Sequence, residues 1–157
     1  MKVEIQKDDL SDGDIARLLN DHLQEMHQYS PPQSIHAIEP EKLKDSSITF
    51  WSARLDEKIA GCGALKELCS TSGEIKSMKT DKRYLRKGIG EKILREILAE
   101  AKRRAYLHVS LETGTHDAFA PAIAMYKKYG FVKCGPFGNY ELDPYSQFFT
   151  KELTINR

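Results

Sequence analysis

The sequence predicts an α/β or α+β domain, a mixed sheet with helices packed on it. Three observations predict that class. Short alternating or β-branched runs recur along the chain, long stretches carry apolar residues at helical spacing, and the two kinds alternate in the order β-α-β-β-β-α-β-α-β-β. A helix with one apolar stripe needs a sheet to cover, and a strand with one apolar face needs a helix.

Residues 2–6 alternate as a short strand. Ile15, Leu18, Leu19, Leu23 and Met26 then recur at helical spacing, with Ser11 or Asp12 available as the cap. Pro31 and Pro32 forbid continuation of that helix, so a structured loop of about ten residues follows, a length that often carries function. Residues 48–55 and 58–68 read as strands joined through Asp56 and Glu57 in a hairpin, and Gly73 precedes a third strand, 74–80. Ile89, Ile93, Leu94, Ile97, Leu98 and Ala101 share one face of the next helix, which turns Glu91, Lys92, Arg95, Glu96 and Glu100 to water. Residues 107–113 predict a strand, 118–129 a second covering helix, and 131–133 and 147–153 the closing strands.

At 157 residues the chain fits one domain, 1–157, able to bury a core without disulfide or metal staples. The 24 Lys+Arg against 23 Asp+Glu give a net charge of +1, too little for a global field that draws a protein to nucleic acid. Lys82, Arg83, Arg86 and Lys87 are basic only locally. Cys62, Cys69 and Cys134 have no paired spacing and the opening Met1-Lys2-Val3-Glu4 is polar, which leads to an expectation of reduced cytoplasm. No window approaches the apolar length of a membrane span. His22 and His27 are five residues apart, not at a zinc-binding helical spacing, so no metal is expected.

Residues 83–92, RYLRKGIGEK, place two glycines and two cations at a helix start, where unpaired N–H groups and the macrodipole favour an anion. The dinucleotide fingerprint fails at Ile93, and the P-loop pattern fails because Glu91 follows Gly90. What the stretch Leu85-Arg86-Lys87-Gly88-Ile89-Gly90 does resemble is the [QR]-x-x-G-x-[GA] acyl-CoA signature of the GNAT N-acetyltransferase superfamily. The strand 74–80 ends eight residues before Gly88, as in that family, and residues 122–131, AIAMYKKYGF, match its A-x-x-[LM]-Y-x-x-x-G-F segment at every specified position. Phe50-Trp51-Ser52, residues 61–65 and residues 134–138 look like a bacterial subgroup of acetyltransferases whose acceptor is undefined.

The resemblance implies a mostly antiparallel sheet of six to seven strands, with a V-shaped splay between central strands and helices on both faces. It implies transfer of acetyl from acetyl-CoA directly to a primary amine of a small molecule or protein, by a monomer or homodimer. A non-catalytic acyl-CoA sensor on the same fold is the alternative. The backbone of Met78, Lys79 and Thr80 would pair with the pantetheine arm; Arg86, Lys87, Gly88, Ile89, Gly90 and Glu91 would hold the diphosphate. Leu85 departs from the family's Gln or Arg, and Phe119 replaces an Asn that often contributes a cofactor contact. Tyr126 resembles the general acid, its phenol protonated at neutral pH with a pKa of about 10. Glu74 stands where some members carry the base, and Glu112 is a candidate to replace it or to bind the acceptor's ammonium. His27, His36, Trp51 and Tyr140 are candidates for the acceptor pocket.

Overall fold

The computed structural model describes residues 2–36 and 40–153. Strand β1, Val3–Lys7, leads to helix α1, Gly13–Tyr29, which starts where the Asp12 carboxylate accepts from the Asp14 N–H at 2.9 Å. Two short 3-10 turns, Pro32–Ser34 and Pro40–Lys44, occupy the loop that the prolines predict. Strands β2, Ile48–Leu55, and β3, Lys58–Cys69, form the hairpin; Asp56 and Glu57 both take positive φ, 51° and 70°, the twist a two-residue hairpin turn needs. Then come β4, Ser72–Thr80, α2, Ile89–Arg103, β5, His108–Gly114, α3, Ala120–Lys128, β6, Val132–Cys134, and β7, Ser146–Glu152.

The seven strands form one sheet in the order β1-β2-β3-β4-β5-β7-β6. Every neighbouring pair is antiparallel except β4 and β5, which are connected through α2 and run parallel. The helices cover both faces. On one, Ile89, Ile93, Leu94 and Ile97 of α2 and Tyr126 of α3 pack with Trp51, Leu65, Ile75, Leu111 and Phe131. On the other, Ile15, Leu18 and Leu19 of α1 pack with Leu43, Phe50, Ile59 and Cys62. Each fully buried Leu or Ile stabilises by roughly 1.5–3 kcal/mol, so both helices are held by their stripes rather than by propensity. No helix among the described residues is long and apolar enough to cross a membrane.

Candidate active site

The site begins where β4 leaves β5. Their pairing runs from Ser72↔His108 to Ile75↔Leu111 and stops, although β4 continues to Thr80 and β5 to Gly114. A bulge drives the separation. Against β3, Lys76 pairs with Ala64 and Lys79 with Cys62, so Ser77 and Met78 together oppose the single Gly63. Ser77 takes φ 57°, and its carbonyl accepts a hydrogen bond from Cys62 Sγ at 3.3 Å. Gly63 leaves room for the bulge: a Cβ there would meet Met78 Sδ at 2.5 Å and Ile93 Cγ2 at 2.8 Å. Beyond Ile75, one edge of β4 therefore remains bonded to β3 while the other faces a cleft.

At one end of the cleft stands the glycine turn. Asp81 caps the 3-10 turn before it, accepting from the N–H and guanidinium of Arg83 at 2.9–3.1 Å, and these bonds hold its carboxyl down at about 2. Arg86 and Gly88 then both take left-handed φ, 63° and 76°. Gly88 is the N-cap of α2 and offers no side-chain cap, so the first N–H groups of a 15-residue helix open onto the turn. Ile89, only 1% exposed, anchors that turn in the core. The Leu85 side chain is 55% exposed and supplies no donor, so backbone and the neighbouring cations carry the anion chemistry there. Glu91 turns aside to Lys128 on α3 at 2.5 Å, and Lys87 is exposed, outside the cleft lining.

The cleft encloses about 650 Å³ and runs from this turn along β4 to the other face of the sheet. Met78, Lys79, Thr80, Phe119 and Tyr126 line it on the way. Tyr126 is 5% exposed, and burial alone pushes its phenol well above the ordinary value. Phe119 packs edge-on against Tyr29 of α1, with ring centroids 5.9 Å apart, and fills the space beside Gly114. An Asn at that position would lose this apolar contact.

On the α1 side lies a buried polar network. Glu74, 3% exposed, accepts from the Tyr140 hydroxyl at 2.5 Å and from Lys76 Nζ at 3.2 Å, and Lys76 also donates to the Tyr140 oxygen at 2.7 Å. Burial, with Glu74 beside it, raises the Tyr140 phenol far above its usual range. Next to this network stand Glu112 and His36, whose Oε1 and Nδ1 are 3.5 Å apart. Burial raises the Glu112 carboxyl, against a smaller opposing pull from His36. Among the described residues no group of three or more His, Cys, Asp or Glu is placed to hold a metal ion.

Thus Glu74, His36, Glu112 and Tyr140 share one cavity with Tyr126 and most of the turn. Two expected pocket residues lie elsewhere. Trp51 is 1% exposed and belongs to the core beneath α2, because its position in β2 faces that helix rather than α1. His27 is exposed on α1, outside the cleft lining. Sequence reasoning passed over Lys76, although two-residue strand periodicity puts it on the face of Glu74. It also passed over Ser146, for which no local signal exists.

A GNAT acetyltransferase family model matches residues 14–131. The chain belongs to that family. It is 48% identical over 151 residues to the uncharacterized N-acetyltransferase YsnE of Bacillus subtilis (strain 168), covering 96% of this chain and 100% of the relative. It is 44% identical over 152 residues to the uncharacterized N-acetyltransferase YedL of Escherichia coli (strain K12), covering 97% and 96%. In fold it matches the PaiA N-acetyltransferase of Thermoplasma acidophilum, solved with coenzyme A, at a TM-score of 0.78 and 19% identity over 98% of this chain and all of that one. The expected GNAT sheet, with its splay and two covered faces, is the sheet described above, and the protein is an acetyltransferase.

Proposed function

We propose that the protein transfers an acetyl group from acetyl-CoA directly to a primary amine, with both substrates in the cleft together. The observation that carries this reading is the continuity of the cleft. The free edge of β4 leads from the uncapped start of α2 to Tyr126 on one face of the sheet and to the Glu74 network on the other. The residues suit the donor: helix-start N–H groups and Arg86 fit a diphosphate, and the open edge at Met78, Lys79 and Thr80 fits an amide-bearing arm. Acetyl-CoA supplies the activated acetyl as a thioester.

The chain's residues then divide the proton work. An ammonium near pKa 10.4, about the value of a lysine amine, must lose a proton before its nitrogen attacks. The Tyr140 oxygen receives that proton as the Tyr140 hydroxyl passes its own to Glu74, in one concerted transfer that never forms the disfavoured phenolate. The neutral nitrogen attacks the thioester carbonyl, and as the tetrahedral adduct collapses the C–S bond breaks, the Tyr126 hydroxyl protonates the departing sulfur, and the second proton that the nitrogen sheds in becoming an amide restores the Tyr126 hydroxyl. Release of CoA thiol in the presence of amines, with the amide product identified by mass, tests the reading. A protein that binds acetyl-CoA and releases no thiol above background with any amine would be the acyl-CoA sensor instead.

A further inference from the structure

Resting on the transferase reading, we propose that Glu112 and His36 form the seat of the acceptor's ammonium, and that the acceptor carries no carboxylate beside its reacting nitrogen. Glu112 is the first residue of β5 beyond its last pairing with β4, so its side chain stands at the vertex of the splay. That side chain is 9% exposed, and among the described residues no Lys or Arg forms an ion pair with it. A buried carboxylate without a cation is costly unless something else supplies the charge.

The atoms around it are also unmatched. His36 Nδ1 lies 3.5 Å from Glu112 Oε1, an ion pair only when the imidazole is protonated, and a neutral Nδ1 is buried with no other partner among the described residues. Ser146, 8% exposed, stands behind the same carboxyl and helps to hold it in place. A neutral imidazole protonated at Nε2 accepts at Nδ1. Glu112 and His36 line one cavity with Tyr140, so a primary ammonium places one N–H on each of the two acceptors and its third towards the Tyr140 oxygen.

The neighbouring charges select what that ammonium is attached to. Lys76 is engaged by Glu74 and Tyr140, and Lys79 by Glu25 of α1 at 2.6 Å. Asp143, held by Ser34 Oγ at 2.6 Å, adds a further negative charge facing His36. A carboxylate next to the acceptor nitrogen would enter beside Glu112, with Asp143 behind His36 and both lysines already committed. The class selected is the alkyl or arylalkyl amine, and the class rejected is the free α-amino acid.

Matched acceptors test this: 2-phenylethylamine against phenylalanine and its amide, and 1-aminobutane against norvaline. Thiol release should show kcat/KM at least tenfold higher for each amine than for its amino acid, with phenylalanine amide close to the amine. Glu112→Gln should raise KM for 2-phenylethylamine at least tenfold and leave KM for acetyl-CoA in place. Calorimetric titration of 2-phenylethylamine into the CoA-bound protein should show the same loss in the Gln variant. Amino acids accepted as well as their amines, an unchanged amine KM in the variant, or no amine binding by calorimetry would each overturn the seat. Glu112-dependent binding without thiol release from any amine would keep the seat and overturn the transferase reading.

Discussion

Tyr140 and Glu74, 66 residues apart in sequence, are joined by a 2.5 Å hydrogen bond that ties the loop before β7 to the centre of the sheet. The phenol donates, the carboxylate accepts, and Lys76 bonds to both. Tyr140→Phe removes a donor from a buried carboxylate, a change worth about 1–3 kcal/mol. The variant should melt several degrees lower and, with its proton route cut, turn over at least tenfold more slowly. Thermal unfolding and steady-state thiol release measure the two effects separately.

The Tyr126 phenol meets a different environment, one in which burial is the cause of its raised pKa. Tyr126→Phe should cost little stability, because among the described residues the lost hydroxyl has no hydrogen-bond partner. Turnover should fall by about 10² or more, the low end of what a positioned acid contributes, with acetyl-CoA affinity nearly unchanged. Wild-type turnover across the pH range would remove Tyr126 from the chemistry.

Gly88 and Gly63 are both glycines for different reasons, and two alanine variants separate them. A Cβ at Gly88 would meet nothing within 4 Å, so Gly88→Ala is penalised only by its φ of 76°, a cost of about 1–2 kcal/mol. The turn should shift, and KM for acetyl-CoA should rise more than stability falls. At Gly63 the space is already filled by Met78 and Ile93, so Gly63→Ala should lower the melting temperature and disturb the β4 bulge. Equal effects of both variants on KM and melting temperature would contradict this division.

His22 gives the stability curve a definite pH window. Burial, aided by Lys79, lowers its pKa from 6.5 to about 4. Between those values the unfolded chain binds a proton that the folded one refuses, so stability should fall as pH drops from 6.5 towards 4. The full difference corresponds to roughly 3 kcal/mol. His22→Leu should flatten the denaturation free energy across that window, and an unaltered slope would show that another group is responsible.

The order of strands and helices was legible because each stripe repeats at its own period, and the hairpin at Asp56-Glu57 because so short a link admits few turns. The anion turn was legible from Gly88 and Gly90 with Arg86 beside them. Trp51 was misplaced for a physical reason: alternation in β2 separates two faces, but only the packing of α1 and α2 decides which face is the cleft. Lys76 was readable in principle as the same-face neighbour of Glu74. Ser146 was not, since it reaches Glu112 through the β5–β7 pairing, where Gly114↔Ser146 closes a register set over a long loop.

An ordinary open sheet has two edges, and this one has four. Past Ile75 and Leu111, β4 and β5 each present unpaired main chain in the middle of the sheet, the arrangement that invites another polypeptide to add itself. Here residues of α1, such as His22 and Met26, and of α3, such as Met125 and Tyr126, form walls along the gap. The seam is therefore a walled groove inside the sheet rather than an exposed edge, and the main chain it presents is reached only by what enters the cleft.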